Sequence, residues 1–126
     1  MIAVMPSGRG DGLLGRSLYV NSHDGRVRME DFLAREVVAW VDSSFRTLAD
    51  ARDRGIIGLS DGGEAAMNLA LKHPDVFGAC ASHSGGFRLR RGIGEGRILG
   101  QDPGAERILE ENSPLRLRRP GGAATR

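Results

Sequence analysis

Residues 55–72 read GIIGLSDGGEAAMNLALK, and this stretch carries the strongest indication of the fold. Its first five residues are apolar or glycine, as in a strand buried on both faces of a parallel sheet. Asp61 to Lys72 is rich in Ala and Leu, which favours a helix, and His73-Pro74 ends that helix. The stretch therefore predicts a strand that turns at Ser60 directly into a helix.

The turn itself, Gly58 to Gly62, matches the pattern G-x-S-x-G. We expect glycine two residues before and two after Ser60 because a Cβ atom there would clash in so sharp a turn. Ser60 would stand at the carboxyl end of the strand as a nucleophile. The backbone N–H of Asp61, at the helix N-terminus, would face a developing oxyanion. The alternative is a glycine-rich turn with an ordinary capping serine.

Strand and helix patterns alternate on both sides of this turn. Ile2 to Met5 and Val76 to Ser82 predict two further strands, and Met29 to Val41 predicts a helix with one apolar stripe. A last short helix begins at Asp102-Pro103. The order predicts an α/β fold of three layers, with a short parallel sheet and helices on both faces.

The single tryptophan and the single cysteine are both predicted to lie in the core. Trp40 belongs to the apolar stripe of the predicted helix. Cys80 lies in the third predicted strand, where nothing nearby would stabilise a thiolate. As the single cysteine, it also excludes an internal disulfide framework and a cysteine-based zinc site.

Composition narrows the functional classes. The 126 residues, 40% hydrophobic and 27% charged, suit one globular domain, which we place at residues 1–115 with a disordered Arg-rich tail at 116–126. A net charge of +2 is small for a nucleic-acid binder. No apolar run is long enough to span a membrane, and Met1 to Pro6 is no signal peptide. We expect no cofactor, no metal, no nucleic-acid or membrane partner and a cytoplasmic location, with secretion as the alternative.

Residues 2–10 (IAVMPSGRG) and 30–85 resemble the esterase family that includes esterase D (S-formylglutathione hydrolase), feruloyl esterases and mycolyltransferases. The most specific pieces are the turn at Ser60, the start of the helix at Glu30, and HPDVFG at 73–78. The resemblance implies a partial α/β-hydrolase fold and acyl chemistry through a Ser–His–acid triad. Ser60 matches the nucleophile and Asp61 the oxyanion donor. The family commonly has an apolar residue where this chain has Asp61, whose carboxylate would oppose the oxyanion charge.

The family's triad acid and histidine follow the segment that this chain matches, and its other oxyanion donor precedes it. The chain thus resembles a truncated middle section of an esterase. His83 is the best local candidate for a substitute base, oriented by Asp102 or Asp24; the alternative is a strand-end residue with no role. His73 is expected to cap its helix. His23 lies in a glycine-rich loop, either near substrate or simply solvated.

The predicted function is a serine carboxylic-ester hydrolase that forms an acyl-enzyme on Ser60, with a small-molecule ester or thioester as substrate. The alternative is a catalytically incomplete α/β-hydrolase remnant that acts only as a structural or partner-binding domain. Exposed sheet edges would then favour a homo-oligomer. The arginines around Arg88 and Arg90 either contact an anionic partner or are solvated loop charges.

Overall fold

A computed structural model describes residues 1–10, 15–90 and 96–117. Its elements in chain order are α1 (Met29–Asp31), a π-helical segment (Phe32–Val37), α2 (Val38–Ser44), a 3-10 turn (Ala51–Asp53), β1 (Gly55–Leu59), α3 (Asp61–Lys72), β2 (Ala79–His83), α4 (Gly96–Leu99) and α5 (Gly104–Glu111). The first three follow one another without a break. The predicted helix at 61–72 is confirmed, and the predicted helix at 29–41 is found with three more residues at its end.

The two strands form a parallel pair joined by α3. Their register runs from Gly55 opposite Ala79 to Leu59 opposite His83. The partial α/β fold with a short parallel sheet is therefore confirmed. The strand predicted at Ile2 to Met5 is wrong: these residues are exposed and belong to no strand or helix. An apolar run becomes a strand only beside a partner, and in the part of the chain that the structure describes none pairs with it.

The main core lies on one side of this sheet. Leu33, Ala34, Leu69 and Phe77 are buried together, and Ile56 of β1 packs against them. Helices from residues 29–44 and 61–72 thus cover the same face. On the opposite face the side chains of β1 are exposed, and the second helical layer that we expected is not among the described residues.

Trp40 and Cys80 both depart from the predicted core. Trp40 is 59% exposed and meets Phe45 edge to face, with ring centroids 5.8 Å apart. The π-helical segment before it widens one turn, which rotates later positions away from the apolar stripe. Cys80 is exposed, with its Sγ 3.8 Å from Met67 Sδ, because β2 has a neighbouring strand on one side only in the described residues.

A second, smaller cluster joins the loop after residue 15 to α4 and α5. Val20, Ile98 and Leu99 are its buried members. Within the described ranges, no helix is long and apolar enough to cross a membrane. Of the predicted disordered tail, residues 118–126 lie outside the described residues, and Arg116 pairs with Glu110 at 3.3 Å.

Candidate active site

Ser60 occupies a sharp turn between β1 and α3. Its φ of 55° and ψ of −118° are unfavourable for a residue with a Cβ atom. The Ser60 N–H donates to the His83 carbonyl at 2.9 Å. The Ser60 carbonyl accepts from the N–H groups of Gly63 at 2.9 Å and Glu64 at 3.0 Å. The turn is thus held by both flanking elements, and Ser60 is left exposed.

The glycines around the turn differ in their steric role. A Cβ atom on Gly58 would overlap the Gly62 carbonyl, as expected. The same expectation for Gly62 is wrong: the nearest atom to its Cβ would be the Tyr19 hydroxyl oxygen, 4.0 Å away. Gly63 has the tight position instead, since its Cβ would lie 2.8 Å from the His83 carbonyl oxygen. The end of β2 passes so close to the start of α3 that only glycine fits there.

Strained backbone gathers near this turn. Among the described non-glycine residues, four have positive φ: Leu18 (53°), Tyr19 (58°), Ser60 and Ser84 (54°). The Tyr19 hydroxyl lies near Gly62, and Ser84 follows the residue whose carbonyl binds Ser60. Such strain is typical of functional sites. The sequence gives no signal for Leu18 and Tyr19, because neither residue type indicates a left-handed backbone.

Asp61 is paired across the turn with Arg16. The Arg16 Nη2 and Nε atoms lie 2.6 Å and 3.1 Å from Asp61 Oδ2. The guanidinium offsets the negative charge that would otherwise face an oxyanion at this helix N-terminus. No acceptor binds the backbone N–H of Asp61 within the described residues, so this donor remains available.

A cleft of about 190 Å³ opens beside Asp61, and we call it the Asp61 cleft. Its walls combine charged and apolar side chains from three separate segments. The lining residues are Arg16, Leu18, Asp61, Glu64, Arg88, Leu89 and Arg90. One of the lining residues, Asp61, directly follows Ser60 in the chain.

The structure does not bring the expected acid–base partners together. The exposed His83 lies opposite Leu59 in the sheet, and its Nδ1 is 3.4 Å from Ser84 Oγ. No hydrogen bond joins its imidazole to Ser60 in the described ranges. His83 is the last residue of β2, and the hydrogen-bond partner of its ring in this part of the chain is Ser84.

The two carboxylates suggested as partners for His83 are engaged elsewhere. Asp102 Oδ2 lies 2.9 Å from His23 Nε2. Partial desolvation raises the pKa of Asp102, but the hydrogen bonds from His23 and from backbone N–H groups outweigh it. The pKa of Asp102 therefore lies below its usual range. Asp24 accepts from Ser22 Oγ at 2.6 Å. The idea that either acid orients His83 is therefore wrong, because each is bound to a nearer group.

His73 is the C-cap residue of α3, as predicted, and it has a second partner. Its Nε2 lies 2.8 Å from Oε1 of the buried Glu30, which also pairs with Lys72. This network ties α1 to α3 and has a structural role. The described side chains include no group of three or more His, Cys, Asp or Glu residues that could hold a metal ion.

The fold is shared with solved esterase structures. An S-formylglutathione hydrolase from Agrobacterium tumefaciens superposes with a TM-score of 0.67 at 22% identity, over 82% of this chain and 38% of that one. A ferulic acid esterase superposes with a TM-score of 0.60 at 26% identity, over 79% of this chain and 35% of that one. The chain thus has the architecture of part of an esterase domain.

Sequence relatives agree with the structural ones. Esterase Rv1288 of Mycobacterium tuberculosis is 35% identical over 94 residues, which are 75% of this chain and 20% of the relative. The MPT51 antigen of Mycobacterium leprae is 37% identical over 70 residues, or 55% of this chain and 23% of the antigen. The chain spans about a fifth of the length of these curated relatives. A family model described as "Putative esterase" matches residues 1–113, and the chain belongs to that esterase family.

Proposed function

We propose that this chain contributes the nucleophile of a serine carboxylic-ester hydrolase, with Ser60 as the acylated residue. The observation that carries the proposal is the strained, exposed serine between β1 and α3 in a chain of an esterase family. A serine at such a turn presents its Oγ away from the backbone, which suits attack on an ester or thioester carbonyl.

The reaction would proceed in two steps. Ser60 Oγ attacks the carbonyl carbon while its proton passes to a base, and the carbonyl oxygen becomes an oxyanion. The N–H of Asp61, at the start of a 12-residue helix, would donate to that oxyanion. The alcohol or thiol then leaves with a proton, and water cleaves the acyl-enzyme.

The ion pair between Arg16 and Asp61 supports this role for the Asp61 N–H. A bare carboxylate beside the oxyanion would raise the energy of the charged intermediate. With the guanidinium 2.6 Å from the carboxylate, the pair presents little net charge to the substrate.

A base for the Ser60 proton is also required. We propose His83 as the local candidate, since its backbone already binds Ser60 and its side chain is exposed at the same end of the sheet. The described conformation lacks the hydrogen bond that proton transfer needs, so His83 would have to reorient.

Labelling with a fluorophosphonate tests the nucleophile without requiring turnover. We expect mass spectrometry to find the phosphonyl group on Ser60 and to lose it in Ser60→Ala. Ser84→Ala is the matched control, because Ser84 is also exposed and has a left-handed backbone. An unlabelled wild type, beside an intact esterase that is labelled under the same conditions, would refute the proposal.

The second candidate is a catalytically incomplete domain that binds a partner. The observation in its favour is that no imidazole contacts the Ser60 hydroxyl in the described part of the chain. Hydrolysis of p-nitrophenyl acetate by wild type, Ser60→Ala and His83→Ala separates the two functions. Equal rates near background support the incomplete domain, and light scattering would then report whether the exposed sheet face produces a homo-oligomer.

A further inference from the structure

We infer that Arg88 and Arg90 form a subsite in the Asp61 cleft for an oxyanion group, carboxylate or phosphate, carried by the ester substrate. The inference rests on the proposed function for the ester itself. The anion-binding part of the inference rests on Arg88 and Arg90, which line the cleft and have no role in the reaction at Ser60.

The balance of charge in the cleft is positive. Three guanidinium groups line it against the carboxylates of Asp61 and Glu64. Arg16 is bound to Asp61, whereas Arg88 and Arg90 have no hydrogen-bond or ion-pair partner within the described residues. Unpaired cations in a concave site attract anions, and guanidinium groups bind carboxylates and phosphates with two parallel hydrogen bonds.

The segment that holds the two arginines is anchored. The N–H of Leu89, between them, donates to Ser113 Oγ at 3.0 Å, and the Leu115 N–H donates to the Phe87 carbonyl at 3.0 Å. Ser113 is itself buried, and its hydroxyl donates to the Leu109 carbonyl. The backbone that holds both guanidinium groups is thus positioned before a ligand arrives, which lowers the entropic cost of binding.

The apolar walls indicate the shape of the ligand. Leu18 and Leu89 line the cleft between the charged groups. Since Asp61 lies both in the cleft and next to Ser60, a short aliphatic chain could connect an ester at Ser60 to an anion at the arginines. A half-ester of a short dicarboxylic acid has this pattern.

Binding to the full 126-residue chain tests the subsite directly. The probes are monomethyl succinate, its neutral analogue dimethyl succinate, and inorganic phosphate, followed through the amide of Leu89 and the arginine Nε–H signals in NMR titrations. We expect monomethyl succinate to bind about tenfold more weakly to Arg88→Gln and to Arg90→Gln, since each removes a charged hydrogen-bond donor. Arg46→Gln is the control, because Arg46 is an exposed arginine outside the cleft.

Equal binding of the charged and neutral esters, or equal losses in all three variants, would overturn the inference. Tighter binding of phosphate than of monomethyl succinate, with the same arginine dependence, would support it and assign phosphate as the anion. Fluorophosphonate labelling of the same samples separates the two proposals. Arginine-dependent binding without Ser60 labelling supports the subsite and refutes the hydrolase, and labelling without arginine dependence does the reverse.

Discussion

Ile56 and Ile57 are neighbours in one strand, yet their surroundings are opposite. Ile56 packs against the buried cluster that contains Leu33 and Leu69. Ile57 and Leu59 point to the other face of the sheet, where they are 79% and 65% exposed. The exposed face of β1, with Ile57 and Leu59, is at least as apolar in sequence as the face of Ile56, so the difference arises from what covers each face.

The covered face has a complete set of partners. Leu69 is wholly buried, and the buried Asn68 donates a hydrogen bond from its Nδ2 to Asn112 Oδ1 at 3.1 Å. On the open face, no helix among the described residues covers Ile57 and Leu59. A strand apolar on both faces is typical of a sheet with helices on both sides, and the curated relatives are about five times as long as the matched segment. In the described residues, helices cover the face of the sheet that carries Ile56, and the face that carries Ile57 and Leu59 is uncovered.

The largest expected effect comes from the covered face beside the turn. In Gly58→Ala the new methyl group would overlap the Gly62 carbonyl, so β1 and α3 must separate. We expect the free energy of unfolding to fall by about 3 kcal/mol, measured by urea denaturation.

Gly62→Ala is the matched control for that substitution. Its methyl group would lie 4.0 Å from the Tyr19 hydroxyl oxygen, an ordinary van der Waals contact, and alanine favours a helix more than glycine does. We expect the free energy of unfolding to rise by up to about 1 kcal/mol. Equal destabilisation by both substitutions would contradict the geometry of the turn.

A smaller effect tests the two faces directly. We expect Ile56→Ala to lower the free energy of unfolding by roughly 1 to 2 kcal/mol more than Ile57→Ala, since only Ile56 loses core contacts. Both variants lose the same strand propensity, so their difference isolates burial. Equal losses would mean that the face of Ile57 is covered in solution, and unfolding would then depend on protein concentration if a second copy covers it.

The smallest effect concerns how the covered side is tied at α1. Asp31 accepts from Arg28 at 2.8 Å and 3.0 Å and from Asn21 at 3.0 Å. The hydrogen bond from Arg28 lowers the pKa of Asp31 in spite of partial burial. Because the pKa of Asp31 is lower in the folded state, its carboxylate stabilises the fold at pH values above its ordinary pKa of 3.8. This contribution disappears as the pH falls through the pKa of the folded state.

We therefore expect Asp31→Asn to cost less than about 1 kcal/mol at pH 7 and still less in acid, measured by urea denaturation across the pH range. Asp75→Asn is the control at pH 7, since Asp75 is exposed and its carboxylate accepts no hydrogen bond within the described ranges. A cost for Asp31→Asn that grows as the pH falls would contradict the sign of the shift.

Local patterns in the sequence were sufficient for the elements near Ser60. Helix α3 and strand β1 span the predicted residues, whereas β2 begins at Ala79, three residues after the predicted start at Val76, and ends at His83. These elements form from short-range preferences and from one crossover connection, which is why a pattern predicts them. The prediction that Trp40 lies in the core was wrong because the π-helical segment rotates the residues that follow it about the helix axis. No residue type in the sequence indicates that change.

The fold class, the family and the serine at the turn follow from the sequence, because each depends on residue types at short, regular spacing. Three features are visible only in the folded chain: Arg16 pairs with Asp61, Asp102 binds His23, and Gly63 rather than Gly62 must be small. These contacts join residues that are distant in the chain or depend on where β2 meets α3. Chain distance says nothing about which side chains meet, so only the packed structure shows the partners of the candidate site.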